Sequence, residues 1–203
     1  ADSVSSGTVN VGKIYIIGNE KTKAEIILRE LDFEEGQVLN IKDFTQSVIL
    51  DQQKLINTRL FVTAEIVPLF TTPSQVDVLI KLKERWYIFP IPIFKLADRN
   101  FTEWWVNQKR DFSRVNYGLQ LYHFNLTGRN DKLILRSQFG FTKQYEIQYQ
   151  RPYINKEQTL GLTFRASFSN NKTVATNTDA HRLQFESSED INRRIFTSGG
   201  TLT

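Results

Sequence analysis

Hydrophobic and polar positions in the first 85 residues follow two different periods. An apolar, β-rich run covers residues 9–17 and stops at the Gly18-Asn19 turn signal, which predicts a first strand. Residues 61–69 and 76–84 are β-rich runs separated by the Thr-Thr-Pro-Ser stretch 71–74, and the second alternates apolar with charged positions. These two runs predict a hairpin with one face against helices and one face in water.

Between these strands the apolar period lengthens to that of amphipathic helices. The first helix is predicted from a capping box at residues 22–25 to the Glu-Glu-Gly stretch 34–36, with an apolar face made of Ala24, Ile27, Leu28 and Leu31. The second is predicted over residues 41–58 behind an N-cap at Asn40, with a stripe made of Phe44, Val48, Leu55 and Ile56. The predicted order is therefore βααββ.

After Arg85 the helical period disappears and two-residue alternation takes over. It recurs in segments 114–124, 132–141, 145–150 and 159–168, where Leu, Phe and Tyr alternate with Gln, Thr, Ser, Gly and Arg. A soluble sandwich also alternates, but this pairing of faces favours antiparallel strands of a transmembrane β-barrel. Residues 86–203 supply about six or seven strands, fewer than the roughly eight of the smallest membrane barrels, so the barrel is incomplete in this chain.

Aromatic residues cluster where the predicted strands end. They are Trp86, Tyr87, Phe101, Trp104, Trp105 and Tyr153. Amphipathic rings at these places suit a membrane interface, and they equally suit loops that pack on a core.

Composition and charge exclude several classes of function. The 26 basic and 22 acidic residues are spread along the chain, without the basic patch of a nucleic-acid-binding protein. Cysteine is absent, which removes disulfides, thiol catalysis and thiolate metal sites. His123 and His181 lack neighbours at metal-ligand spacing, and no hydrolase, phosphate-loop or dinucleotide motif is present. We therefore predict no enzyme and assign no catalytic residue, cofactor or metal ligand.

The N-terminal residues resemble a POTRA domain. The resemblance is carried by Ile-Tyr-Ile-Ile-Gly-Asn at 14–19, Leu-Ile-Asn-Thr-Arg-Leu-Phe at 55–61 and Val-Asp-Val-Leu-Ile at 76–80. The same residues are also compatible with the core and turns of another small α/β domain. On the POTRA interpretation, residues 1–8 are a leader or linker, 9–85 the domain and 86–203 the N-terminal part of a barrel.

The later segments resemble the barrels of the Omp85 superfamily. They are residues 84–92, where the soluble pattern passes straight into a strand, the Tyr-His-Phe-Asn-Leu-Thr-Gly-Arg-Asn-Asp stretch 122–131, and residues 145–153. The second of these is similar to the family's Asn-Leu-x-Gly-x-Gly turn, with Gly128 as its first glycine. Asn130 stands where the family has its second glycine, and asparagine still tolerates a left-handed conformation.

The resemblance implies assembly and insertion of outer-membrane proteins by strand templating at a lateral seam. The candidate seam strand carries Trp86, Ile88, Pro90, Pro92 and Phe94. Prolines donate no ladder hydrogen bond, so they either weaken a seam or only bend the strand. The candidate client-binding edge of the POTRA domain carries Phe61, Thr63, Glu65 and Val67.

The partners implied by the resemblance are unfolded outer-membrane proteins, accessory periplasmic or lipoprotein subunits, and outer-membrane lipid, with no nucleic acid. The implied location is the bacterial outer membrane, with residues 9–85 in the periplasm. Two other functions stay open. One is a pore that secretes a partner polypeptide, and the other is a barrel that anchors an enzyme domain outside this chain.

Overall fold

The chain consists of two units, each built on its own β-sheet. The computed structural model describes residues 7–98, 100–155, 159–171, 174–179, 182–186 and 193–202. The first unit contains the residues up to Trp86 together with Asn125–Asn130, and the second contains Tyr87–Phe124 and the residues from Asp131 onward.

The first unit is a four-stranded sheet with two helices. Its elements are β1 (Thr8–Ile17), α1 (Ala24–Leu28), β2 (Val38–Asn40), α2 (Ile41–Asn57), β3 (Phe61–Thr72) and β4 (Gln75–Glu84). The strand order is β2-β1-β4-β3, with β1 parallel to β4 and the other pairs antiparallel. The βααββ prediction is confirmed, and the short strand β2 is an addition that the apolar pattern does not predict.

One face of this sheet forms the core of the first unit. Val76, Val78 and Ile80 of β4 are fully buried, as are Phe44 and Leu55 of α2. Leu79 and Lys81, which alternate with them, lie on the opposite face, where Lys81 is exposed. The alternation in β4 therefore separates a core face from a solvent face, as the sequence indicates.

The first helix differs from its prediction in both its start and its length. α1 ends at Leu28, because the chain must turn there to bury Phe33, whose ring lies 5.3 Å from that of Phe44. The predicted capping box is wrong: the N-cap is Lys23 and no side chain caps the helix. The second helix begins as predicted, with the Asn40 side chain accepting a hydrogen bond from the Lys42 N–H.

A buried carboxylate holds the segment after α1 against α2. The carboxylate of Asp51 accepts hydrogen bonds from the Asp32 N–H at 2.7 Å and from the Lys54 ammonium at 2.8 Å. Burial raises the pKa of Asp51, although both hydrogen bonds act in the opposite direction. The ionised carboxylate therefore depends on these two donors to offset the free-energy cost of its burial.

A second carboxylate bonds to the main chain of β1 beyond the point where the short strand β2 ends. Glu35 accepts hydrogen bonds from the Ile14 N–H at 2.9 Å and from the Lys13 ammonium at 3.2 Å. These hydrogen bonds, the one to Ile14 first, lower the pKa of Glu35 below its ordinary value.

The lowered pKa of Glu35 predicts a pH-dependent contribution to stability. Because the folded state favours the ionised form, the contribution is present above the ordinary glutamate pKa and is lost as the pH falls through the lowered one. We expect Glu35→Gln to destabilise the first unit at pH 7 and the difference from the unchanged protein to shrink below about pH 4. Urea unfolding at several pH values measures it, and a difference independent of pH would contradict the assignment.

The second unit is an open antiparallel sheet. Its strands are β5 (Ile88–Leu96), β6 (Val115–Phe124), β7 (Lys132–Gly140), β8 (Thr142–Arg151), β9 (Leu162–Asn171), β10 (Val174–Asp179), β11 (Arg182–Glu186) and β12 (Arg193–Leu202). Six of them pair in the order β12-β9-β8-β7-β6-β5, and β10 pairs with β11 alone. The sheet does not close, and β5 and β12 are its edges. The predicted antiparallel strands of an incomplete barrel are confirmed.

The two faces of the six-stranded sheet differ in chemistry. On one face, which we call the apolar face, cross-strand neighbours include Pro92 with Leu119 and Leu135 with Ile147. On the other, the buried carboxylate of Glu146 lies 3.0 Å from the guanidinium of Arg165 and 3.8 Å from that of Arg136. The alternation in the sequence therefore assigns these residues correctly to an apolar and a polar face of the sheet.

The connection from β5 to β6 contains local structure that the sequence pattern does not predict. A π-helical turn covers Glu103–Asn107 and a 3₁₀ turn covers Phe112–Arg114. Trp104 is buried, and its indole N–H donates to the Asp111 carbonyl at 2.8 Å. This ring is therefore part of a small core inside the loop. None of the helices in the described residues is long and apolar enough to cross a membrane.

Candidate functional site

The candidate seam strand β5 is an edge of the six-stranded sheet, with β6 on one side and no described strand on the other. β5 pairs with β6 along its whole length without a register shift. The Tyr87 carbonyl before β5 and the Ala97 N–H after it both bond to the β6 side, at 2.8 Å each. Since successive residues of an antiparallel strand direct their main chains to opposite sides, the odd-numbered residues of β5 pair with β6. The even-numbered residues face away from β6.

This arrangement gives the free side of β5 more acceptors than donors. Between positions 90 and 96, the residues that face away from β6 are Pro90, Pro92, Phe94 and Leu96. They present four carbonyl groups but only two N–H groups, because proline has no amide hydrogen. No described strand pairs with this side. The two prolines therefore leave the pairing with β6 intact and remove donors only from the edge.

The side chains of the candidate seam residues share the apolar face. Ile88, Pro90, Pro92 and Phe94 lie opposite His123, Leu121, Leu119 and Tyr117 of β6. Trp86 precedes the strand, and its side chain is exposed. A partner strand added to β5 would continue this apolar face.

The candidate client-binding edge on β3 is more obstructed than that of β5. The Ile66 N–H, which bonds to the side chain of Gln52, belongs to the set of residues that face away from β4. Pro68 belongs to the same set and carries no N–H. Ala64 and Phe70 therefore supply the amide donors on this side of β3.

The predicted residues of the β3 edge take different positions. The side chains of Thr63 and Glu65 are exposed, and Val67 is half-buried. Phe61 is buried in the core. Thr63, Glu65 and Val67 direct their main chains to β4, so only their side chains are available to a ligand.

The family-like turn at residues 125–130 is an integral part of the first unit. The Lys23 N–H donates to the Gly128 carbonyl at 2.9 Å, and the Arg129 guanidinium lies 3.3 Å from the Glu25 carboxylate. Asn125, Gly128 and Asn130 all have positive φ, of 52°, 82° and 60°. Asn130 therefore adopts the left-handed conformation that asparagine tolerates at this position of the turn.

A buried polar cluster connects this turn to the start of α1. The Asn125 amide donates to the hydroxyl of Thr22 at 2.8 Å, and both side chains are fully buried. The Thr22 N–H donates to the Glu84 carboxylate at 2.6 Å, and the Asn19 amide donates to the Thr22 carbonyl. Thr22 thus contacts residues from three of the segments that carry the family resemblance, and its hydroxyl serves this cluster instead of capping α1.

The described residues contain no group of His, Cys, Asp and Glu side chains that could hold a metal ion. His123 lies on the apolar face of β6, and His181 lies outside the described residues. The sites that the geometry does define are therefore strand edges and a buried polar cluster.

Comparison with known proteins identifies the first unit by sequence. Residues 9–85 match the family model of the POTRA domain, described as a surface antigen variable number repeat. These residues are a POTRA domain. No curated protein matches the chain.

Comparison with solved structures identifies the fold of the whole chain. The crystal structure of BamA from Haemophilus ducreyi lacking POTRA domains 1–3 matches 96% of this chain with a TM-score of 0.65 and 21% identity. CdiB from Acinetobacter baumannii matches 87% at 19% identity and a TM-score of 0.46, and CdiB from Escherichia coli matches 96% at 14% identity and 0.47. The chain spans 32%, 31% and 32% of these three structures. The match to the BamA structure therefore shows the fold of this chain, a POTRA domain together with antiparallel strands that resemble part of a barrel.

Proposed function

We propose that this chain is part of an outer-membrane protein assembly factor. The reason is that a POTRA domain here leads into strands with the fold of an Omp85-type barrel. Its clients would be unfolded outer-membrane proteins, and its action would need no catalytic residue or cofactor. On this proposal β5–β9 and β12 lie in the outer membrane, the apolar face meets lipid, and residues 9–85 lie in the periplasm.

The observation that carries the proposal is the free side of β5. A strand edge inside a membrane needs a partner for its main-chain groups, since lipid offers none. An incoming client strand satisfies these groups by β-augmentation. The four carbonyls and two N–H groups at positions 90–96 make the edge a template that binds a strand through fewer hydrogen bonds than a regular edge. Such a template releases a folded client more readily.

The POTRA domain supplies a second candidate contact for clients or accessory subunits. Strand addition along β3 is limited by the absent N–H of Pro68 and the occupied N–H of Ile66. We therefore propose that the domain contacts partners mainly through exposed side chains of the β3 edge, such as Thr63 and Glu65.

Depletion in the native organism tests the function. We expect depletion of the full-length protein to lower the amounts of many outer-membrane proteins together. If these amounts stay normal while one exported polypeptide is lost, the protein is a secretion pore and the assembly proposal is wrong. Loss of an enzymatic activity from the cell surface alone would instead indicate a barrel that anchors an enzyme domain.

A further inference from the structure

The described part of the loop between β5 and β6, residues 97–98 and 100–114, has a folded interior and an unusual exposed surface. Inside, Arg114 binds the buried carboxylate of Asp98 through two nitrogens, at 2.6 and 3.0 Å, and Trp104 packs edge-on against the ring of Phe112. Outside, the side chains of Phe101, Val106 and Phe112 are 58%, 64% and 73% exposed. Because these internal contacts hold the loop in one conformation, its apolar side chains stay exposed on a fixed surface.

Basic side chains accompany these exposed rings. The guanidinium of Arg110 lies 3.9 Å from the centre of the Trp105 ring, and Trp105 stacks on Phe101 at 5.2 Å. Lys109 and Arg110 are held in left-handed conformations, with φ of 49° and 61°. Two adjacent non-glycine residues in this region store strain, which the fold must offset elsewhere.

The carboxylates of the described part of the loop form no ion pair with these two cations. Asp98 is bound by Arg114, Asp111 accepts hydrogen bonds from Ser113, and Glu103 accepts one from Asn107. In the described part of the chain, no carboxylate lies within ion-pair distance of Lys109 or Arg110. Their charge is therefore available to an anionic partner beside the exposed rings.

The loop follows the end of the β5–β6 hairpin at which the apolar face carries exposed aromatic rings. The last outward-facing aromatic pair of the β5–β6 hairpin is Phe94 with Tyr117, 70% and 56% exposed. Two further residue pairs, Lys95 with Asn116 and Leu96 with Val115, separate it from the loop. Aromatic rings and basic side chains that follow an apolar band match the order of hydrocarbon, interface and phosphate in a bilayer.

We propose that loop 97–114 is a membrane-interface anchor, with Phe101, Trp105 and Val106 among the lipid headgroups and Arg110 bound to lipid phosphate. This inference rests on the proposed function, because it requires the apolar face of the sheet to lie in a bilayer. It adds a lipid-binding surface at the end of β5 remote from Tyr87. The anchor would hold the strand next to the seam at a fixed depth.

Nitroxide depth measurements test the anchor, since the chain contains no cysteine. The full-length protein, with any other cysteine replaced by serine, is labelled at Val106→Cys and placed in discs of phosphatidylcholine and phosphatidylglycerol. Labels at Leu119→Cys on the apolar face and Gln53→Cys on α2 give the hydrocarbon and water references. We expect the Val106 label to be at least about twofold less accessible to a nickel complex than the Gln53 label, at a depth between the two references.

Substitution of Arg110 tests the phosphate contact. Arg110→Gln should move the Val106 label toward water, and Arg110→Lys, which keeps the charge, should move it less. The anchor is wrong if the Val106 label is as accessible to nickel as the Gln53 label, or if it is shielded from both nickel and oxygen, as under a protein partner. In those cases a Leu119 label in hydrocarbon would still be consistent with the proposed function. A Leu119 label in water would contradict the proposed function together with the anchor.

Discussion

Replacing Pro90 and Pro92 together with valine should lower the rate at which the full-length protein inserts client barrels by about tenfold. The double variant adds two N–H donors to the free side of β5, and each new hydrogen bond contributes about 0.5–1.5 kcal/mol. The sum of about 1–3 kcal/mol favours the state in which this side of β5 is paired with another strand over the state in which it is free, by a factor of roughly 5 to 150. Valine keeps both positions apolar and suited to a strand. Insertion into proteoliposomes measures the rate.

Phe94→Val is the matched control for the proline variant. It changes a side chain on the same face and the same edge of β5, but it adds no main-chain donor. We expect it to insert clients at nearly the rate of the unchanged protein. If the double proline variant also kept its full rate, the prolines would only shape the strand, and the templating proposal would lose its main support.

Gly128→Ala should destabilise the first unit by about 3 kcal/mol or more. Gly128 has φ of 82°, where a residue with a Cβ costs about 1–2 kcal/mol. A Cβ at this position would also lie 2.3 Å from the Lys21 carbonyl oxygen, a contact that backbone atoms must move to relieve. Hydrogen exchange of the amides in β1 and β4 of the full-length protein measures the loss.

Gly36→Ala separates the two causes. Gly36 has nearly the same φ, 84°, and a Cβ there meets no atom within 4 Å. We expect this control to show the conformational cost alone, so that the difference between the variants reports the close approach of the turn to Lys21. Equal losses of protection in the two variants would show that the approach contributes nothing.

Most strands of this chain follow from the sequence, because alternation reports which side chains share a face. β4, β6, β7 and β8 have clear apolar and polar sets, and the Gly18-Asn19 signal ends β1 where predicted. The helix α2 is also predictable, since its N-cap Asn40 is explicit in the sequence. The early end of α1 is not, because it depends on the burial of Phe33 against a ring of α2, which no local period reports.

The chemistry of the candidate site was only partly predictable. The sequence identifies Pro90 and Pro92 as an edge signal, but not which side of β5 their missing donors face. That side is set by the pairing with β6, which alternation alone does not reveal. The role of Thr22 is not predictable from the local sequence, because its partner Asn125 lies 103 positions away and the residues next to Thr22 indicate only a capping box.

The separation between Thr22 and Asn125 has a consequence for the time order of folding. Because the chain is made from its N-terminus, the residues of β1–β4 are available before Asn125 is, and residues 9–85 alone cannot complete the polar cluster. A contact across 103 residues also requires closure of a long loop, which slows its formation. The domain should therefore reach its final stability only once residues 125–130, which belong to the same unit but follow β6 in the chain, have packed against it.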